Sequence, residues 1–238
     1  MSVAVAPPPA VAAELDAESR RYLAYHSLRY EYLLRYVARA IGARPRPTVL
    51  DIGPSFQTAR IRQAFPGATV DSLGWESPHA PRRAHERHWA FDLNDAQHES
   101  LWPRVDPHDV VVFAEVLEHL YTAPSLVLRC IATWLAPGGV LVLQTPNAAA
   151  LAKRVLMAVG RNPFEPIRET RDKPGHFREY TLRELVAVAR SCGYDVVVAQ
   201  RHNYFRALHW KRRLYNVACA VMPPSLRDGI TMMLRKLD

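Results

Sequence analysis

The sequence lacks a long apolar run, an export leader and paired cysteines. No apolar stretch in its 238 residues approaches the roughly 20 residues needed to cross a bilayer. The N-terminus has no basic segment followed by an apolar core, so no secretory signal is expected. The three cysteines, Cys130, Cys192 and Cys219, are widely spaced and form no C-x-x-C pair. These absences favour buried thiols in a reducing compartment and predict a cytoplasmic protein.

Charge of one sign is in excess. The chain carries 31 lysines and arginines against 23 acidic residues, a formal net charge of +8. Such a balance favours anionic partners: nucleic acid, acidic lipid or a phosphorylated substrate. The alternative is that the arginines form solvated helix faces with no partner. The net charge alone therefore does not distinguish among these classes of partner.

The stretch TVLDIGPSF, residues 48–56, predicts the element around which the chain is organised. Three apolar residues surround the single carboxylate of Asp51, and Gly53 and Pro54 close the run. This pattern is typical of a buried parallel strand that enters a tight turn, and helical spacing follows to about Phe65. In open α/β sheets, ligands bind outside the carboxyl ends of such strands.

The rest of the chain predicts one domain over residues 14–238, preceded by a disordered tail at 1–13. Residues 14–44 predict a helical cover, with one helix over 14–41. Residues 148–180 and 200–228 are expected to be insertions that form a substrate cap. Further strands are predicted at 68–75, 89–94, 109–114, 140–143, 194–199 and 229–237, and the fourth is expected to run straight into a helix.

Three segments carry a family resemblance: TVLDIGPSF, then DVVVFAEVLEHL at 109–120, then LAPGG followed by VLVL at 135–143. They resemble class I S-adenosylmethionine (SAM)-dependent methyltransferases, and especially the branch of ubiquinone-pathway O-methyltransferases and small-RNA 2′-O-methyltransferases. The resemblance implies an α/β fold: a Rossmann-like seven-stranded sheet with helices on both faces and an antiparallel last strand. This chain departs from the pattern, because Ser55 and Gln57 stand where the family usually has glycines.

The resemblance also implies SAM as the cofactor, bound at the strand ends. The family's ribose-binding acid falls on Gly74, so Glu76 is the expected substitute and Asp71 the alternative. The implied cofactor-binding residues are Asp51, Gly53, Ser55, Glu76, Asp92, Leu93, Phe113 and Glu115. In such families the N-terminal helix can lie over the cofactor, which adds Tyr25, His26 and Arg29 as further candidates.

The E-x-x-E-H pattern supplies the catalytic candidates. On a helix, Glu115, Glu118 and His119 would share one face. In the branches named above this pattern resembles a divalent-metal site completed by a histidine beyond the fifth strand, and His176 stands in that place. Two carboxylates and two imidazoles suit Mn²⁺, Fe²⁺ or Zn²⁺ better than Mg²⁺. Without a metal, His119 or His176 is the predicted catalytic base.

The predicted activity is methylation of an oxygen on a small-molecule or glycan acceptor. One alternative is an RNA 2′-O-methyltransferase, and another is a non-catalytic protein that kept the fold. Nucleic acid is the less favoured partner, because no RNA-binding module is appended. The basic, aromatic stretch at 201–215 suggests a peripheral location on an anionic membrane as an alternative to a purely soluble one.

Overall fold

A seven-stranded sheet forms the centre of the computed structural model, which describes residues 16–170, 175–205 and 221–237. The strand order is β3-β2-β1-β4-β5-β7-β6. The strands are β1 Thr48–Ile52, β2 Thr69–Leu73, β3 His88–Trp89, β4 His108–Ala114, β5 Leu135–Pro146, β6 Tyr194–His202 and β7 Gly229–Lys236. The first five run parallel, whereas β7 pairs antiparallel with both β5 and β6. The predicted fold class, with its antiparallel last strand, is confirmed.

Six helices lie against or beside this sheet in the described ranges. They are α1 Ala17–Tyr25, α2 Ser27–Ile41, α3 Phe56–Ala64, α4 Pro124–Ala132, α5 Leu151–Ala158 and α6 Leu182–Ser191. Short 3₁₀ turns cover Leu93–Gln97, Glu99–Leu101, Leu117–His119 and Pro224–Leu226. No helix within the described part of the chain is long and apolar enough to cross a membrane.

Strand β4 shows why the sheet is covered on both faces. Its side chains alternate, so Val111 and Phe113 join the hydrophobic cluster that contains residues of α4 and α6. Val110 and Val112 point the other way, into the cluster formed with α2 and α3. Because both faces are buried, the strand is a nearly continuous apolar run, which is the pattern that the sequence presents.

Two helix starts follow directly from the sequence. Ser55 caps α3, and the predicted capping box of α6 is present: the Thr181 hydroxyl accepts from Glu184 N–H, and the Glu184 carboxylate accepts from Thr181 N–H. Helix α3 therefore begins three residues after Gly53, near the carboxyl end of β1. This places the start of α3 beside the edge where ligands bind in such sheets.

Several element predictions were wrong in detail. The N-terminal helix is divided at His26 into α1 and α2, although its apolar spacing is continuous. The helix expected directly after β4 is a single 3₁₀ turn, and α4 begins only at Pro124. Strand β3 is two residues long, and β5 already begins at Leu135. The predicted tail at 1–13 and residues 206–215 of the basic stretch lie outside the described residues.

Candidate active site

A cavity of about 970 Å³ opens at the carboxyl ends of β1, β2 and β4. Four segments form its wall: the turn after β1, residues 74–78 after β2, residues 91–94 after β3 and residues 115–121 after β4. Residues 165–170 and Gly175 close the remaining side. Volumes of about 300 to 1,000 Å³ are typical of small-molecule sites, so this cavity has room for a cofactor together with part of an acceptor.

Two glycines form the floor between β1 and β2. Gly53 has φ of 75°, and a Cβ built on it would lie 2.8 Å from Cγ2 of Val116. Gly74 has φ of 120°, and its Cβ would lie 3.5 Å from the Gly53 backbone nitrogen. L side chains rarely adopt either conformation. The family's ribose acid is therefore absent at Gly74 for a structural reason: a carboxylate side chain would be strained there.

Asp51 supports this floor from below without reaching the cavity. It is completely buried, and it accepts hydrogen bonds from Gln57 Nε2 (2.8 Å) and Thr58 Oγ1 (2.6 Å). Ser55, whose hydroxyl accepts from Gln57 N–H at 3.4 Å, has extended backbone that needs no glycine. The residues that replace the family's second and third glycines thus cap α3 and hold Asp51.

Glu76 lies on the cavity wall, whereas Asp71 does not. Asp71 is buried within β2, where it accepts from Arg87 N–H (2.7 Å) and contacts His108 Nε2 (3.0 Å). Glu76 is exposed and lines the opening beside Trp75. Asp92 also lines it, with one carboxylate oxygen accepting from Asn94 N–H at 2.9 Å. Of the two alternatives for a ribose-binding acid, Glu76 is the one that lines the cavity.

His119 also lines the cavity, and its hydrogen bond defines the tautomer of its ring. Its Nδ1 lies 2.8 Å from the carbonyl oxygen of Gly175. A carbonyl can only accept, so Nδ1 carries the proton and Nε2 of the neutral ring keeps its lone pair. The turn that carries His119 is fixed in the same way, because Phe177 N–H donates to the Glu118 carbonyl at 2.8 Å.

His176 lies against His119, with ring centroids 4.8 Å apart and nearly perpendicular planes. Its Nδ1 is 3.0 Å from Oε1 of Glu179, and the other oxygen of that carboxylate forms an ion pair with Lys153. Burial, with a further contribution from His119, lowers the pKa of His176 to about 4. The His176 ring is therefore neutral at pH 7, with Nε2 free to accept.

Two buried carboxylates stand beside these rings. Glu118 is completely buried and accepts from Thr145 Oγ1 at 2.9 Å, while its other oxygen has no hydrogen-bond partner among the described residues. Burial raises the pKa of both Glu115 and Glu118, and the charge of Glu118 raises that of Glu115 further. Glu115 also has the left-handed φ of 57°, a strained conformation for this residue.

The structure groups three of the four predicted metal ligands. One ligand atom each from Glu118, His119 and His176 lies within 4.8 Å of the others. Glu115 is outside this group and lines the cavity instead. The prediction that Glu115, Glu118 and His119 share one face of a helix was wrong. The backbone is left-handed at Glu115, and only one 3₁₀ turn follows it.

The other predicted cofactor residues divide into two groups. Gly53, Glu76, Asp92, Leu93 and Glu115 line the cavity. Asp51, Ser55 and Phe113 do not, since Asp51 and Phe113 are completely buried and Ser55 serves as a helix cap. Phe113 was predicted to contact the cofactor at the end of β4, but the residues that line the cavity there are Glu115 and Val116.

Sequence reasoning missed the residues that hold His119, His176 and Glu118. They are Gly175 for His119, Glu179 with its ion-pair partner Lys153 for His176, and Thr145 for Glu118. Only one of them had a readable signal: Glu179 lies three residues after His176, a spacing that suits a local histidine–carboxylate contact. The others come together only through the fold.

Comparison with known proteins agrees with this architecture. Residues 25–199 match the model of a family described as a methyltransferase domain. A curated protein of Mycolicibacterium smegmatis, described as a probable S-adenosylmethionine-dependent methyltransferase, is 35% identical over 88 residues. That alignment covers 37% of this chain and 29% of the relative, so the chain matches less than a third of that protein's length.

Solved structures share the fold at low sequence identity. A SAM-dependent methyltransferase from Archaeoglobus fulgidus superimposes with a TM-score of 0.59 at 14% identity, covering 93% of this chain and 100% of that one. The N-methyltransferase NodS from Bradyrhizobium japonicum WM9, in complex with S-adenosyl-L-homocysteine (SAH), gives 0.55 at 15% identity, covering 96% and 97%. The family match extends over most of the chain, and on that ground this chain belongs to the family described as a methyltransferase domain.

Proposed function

We propose that this methyltransferase transfers the methyl group to a hydroxyl of a small-molecule or glycan acceptor, with His119 as the base. The observation that carries the proposal is the hydrogen bond from His119 Nδ1 to the Gly175 carbonyl. It leaves Nε2 as the accepting atom of a side chain that lines the cavity. An oxygen acceptor must lose a proton during transfer, and an imidazole nitrogen with a free lone pair can take it.

On the donor side, Gly53 and Gly74 let a ligand approach the backbone, and Glu76 offers two oxygens to a pair of ribose hydroxyls. Asp92 also lines the cavity, and we expect its carboxylate to accept a hydrogen bond from the adenine amino group of the donor. SAM supplies an electrophilic methyl group on a sulfonium when it is bound. Because methyl transfer is an in-line displacement, the main task of these residues is alignment.

On the acceptor side, aromatic and apolar residues support a small ring-shaped acceptor. Phe177 and Tyr121 stack edge to face at 5.7 Å, and both line the cavity. Residues 165–170 contribute Glu165, Arg168 and Glu169 to the same wall. These polar groups suit a hydroxyl-rich acceptor, because they supply both donors and acceptors of hydrogen bonds.

A divalent metal fits the same residues. Glu118, His119 and His176 would hold it, and each is oriented by a second group: the Thr145 hydroxyl, the Gly175 carbonyl and the Glu179 carboxylate. Such outer partners are typical of metal ligands. Three protein ligands of this type suit Zn²⁺, Mn²⁺ or Fe²⁺, and the ion would lower the pKa of a bound hydroxyl.

The experiment measures transfer of radioactive methyl from SAM to a panel of sugars, phenols and amines. Transfer to hydroxyls is expected, and exclusive transfer to amines would refute the proposal. With the acceptor found, His119→Ala should lower kcat by about 10²- to 10⁴-fold while SAH binding is unchanged. His98→Ala, at an exposed histidine away from the cavity, is the matched control.

A chelator then separates the two roles of the histidines. Turnover that survives chelation assigns His119 as a base acting without a metal. Loss of turnover that Mn²⁺ or Zn²⁺ restores assigns His119 and His176 as ligands. In the second case Glu179→Gln should weaken metal affinity about 10- to 100-fold, since it loosens the orientation of His176.

A further inference from the structure

Helix α5 presents apolar residues to solvent and a charged residue to the protein, which is the reverse of an ordinary surface helix. None of its residues is fully buried, and its charged Lys153 faces the protein, where it pairs with Glu179. The opposite face is apolar. Leu151, Val155 and the C-cap residue Val159 follow one another at four-residue steps and are 38%, 54% and 66% exposed. A surface helix normally places its apolar stripe against the core, so this outward stripe calls for a partner.

Basic residues flank this stripe. From residue 148 to residue 164 the sequence has no acidic residue, and it has three basic ones, Lys153, Arg154 and Arg161. Arg154 and Arg161 are exposed. Arg154 also lies near Arg201, whose pKa is lowered by burial and by the charge of Arg154. Arg227 lies beside Arg201 as well, since its Nη1 donates to the Arg201 carbonyl at 3.1 Å.

An apolar stripe flanked by cations matches one kind of surface in particular. A bilayer with anionic lipids offers an apolar interior for the valines and phosphates for the arginines. A second copy of this chain would instead bring the same arginines together, at a cost that grows with the net charge of +8. We propose that α5 docks on an anionic lipid bilayer, with Leu151, Val155 and Val159 in the interface and Arg154 and Arg161 on the headgroup phosphates.

Docking in this way would bring the rim of the cavity close to the membrane. Residues 165–170, which line the cavity, follow α5 and Arg161 directly in the chain. The inference does not depend on which acceptor is methylated, or on whether a metal takes part. It can therefore fail while the proposed function stands.

The test is co-sedimentation of the full chain with two kinds of vesicle, phosphatidylcholine alone and phosphatidylcholine mixed with phosphatidylglycerol. We expect binding to the mixed vesicles that weakens as salt rises. Val155→Glu should reduce the partition coefficient about tenfold, and Arg154→Gln about fivefold. Val197→Glu, at an apolar residue of β6 that is 37% exposed, is the matched control and should bind like the wild type.

Three results would overturn the proposal. One is equal binding to both kinds of vesicle. Another is equal loss of binding in Val155→Glu and Val197→Glu. The third is an absence of vesicle binding by the wild type. This result overturns the proposal whether the chain is a monomer or a dimer, and light scattering of the wild type and Val155→Glu would show whether α5 forms a dimer interface instead. Thermal unfolding of each variant shows that the folded protein was tested.

Discussion

Glu115 concentrates three unusual properties in one side chain. Its backbone is left-handed, one carboxylate oxygen is buried without a hydrogen-bond partner among the described residues, and burial raises its pKa. The positive charge of Arg29, which is buried in α2, is the main influence that lowers the pKa of Glu115. Burial lowers the pKa of Arg29 itself, but the charge of Glu115 raises it, and the net change is an increase. A strained, desolvated acid on a cavity wall is typical of a functional site, because folding alone gains nothing from it.

At the same scale, Glu76 gives the simplest prediction about the cofactor. Glu76→Ala should weaken SAH binding about 10- to 100-fold, the effect of losing charge-assisted hydrogen bonds to a ribose. Calorimetric titration measures this effect. Glu99→Ala, at another exposed glutamate outside the cavity, should bind SAH like the wild type. Equal affinity in the two variants would remove Glu76 from the site.

At the scale of elements, the junction of β1 and α3 forms a small buried network. Asp51 joins the strand to the helix through Gln57 and Thr58, and all three side chains are almost completely buried. Burial raises the pKa of Asp51 to about 7, although the two hydrogen bonds act in the opposite direction. The network therefore holds a carboxyl group that is partly protonated near neutral pH.

This junction predicts a pH dependence of stability. Because the pKa of Asp51 is higher in the folded state than its ordinary value of 3.8, its contribution to stability is complete below pH 3.8 and is lost as the pH rises to about 7. The free energy of unfolding of the wild type relative to Asp51→Asn should therefore decrease between about pH 4.5 and pH 7 and level off above it, by at most about 1.4 kcal/mol per pH unit.

Urea denaturation of the two proteins across this range measures the difference. Thr58→Val, which removes one hydrogen bond but keeps the carboxylate, is the control. A stability difference between wild type and Asp51→Asn that does not change with pH would show that Asp51 titrates normally.

The elements that the sequence predicted best are those with a clear local pattern of apolar or capping residues. Strands β1 and β4 read as continuous apolar runs, and the Thr181–Glu184 capping box fixes the start of α6. The segment after β4 could not be predicted, because the spacing of Glu115, Glu118 and His119 fits a helix and a 3₁₀ turn equally well. What decides between them is the left-handed backbone at Glu115, which has no glycine to signal it.

For the whole molecule, the strand-end segments converge where the order of motifs predicts. The cavity collects residues from the ends of β1, β2 and β4 and from the segment after β3. The acceptor side was harder to predict, since the partner of His119 comes from Gly175, 56 residues away. Such a contact depends on how residues 175–178 dock on the turn at Glu118, and no local pattern records it.

We expect SAM to bind on the glycine floor between β1 and β2. Calorimetric titration of SAH into the wild type, Gly53→Leu and Gly160→Leu tests this most directly. The two glycines have nearly the same φ, 75° and 74°, but a side chain meets Val116 at Gly53 and open space at Gly160. Both substitutions therefore carry a similar backbone cost of about 1–2 kcal/mol.

We predict that the wild type and Gly160→Leu bind SAH with the same affinity, whereas Gly53→Leu binds it at least about 100-fold more weakly. All three proteins should still unfold cooperatively, and thermal unfolding checks this. Unchanged SAH affinity in a folded Gly53→Leu protein would contradict the account, because the ligand would then bind somewhere other than this floor.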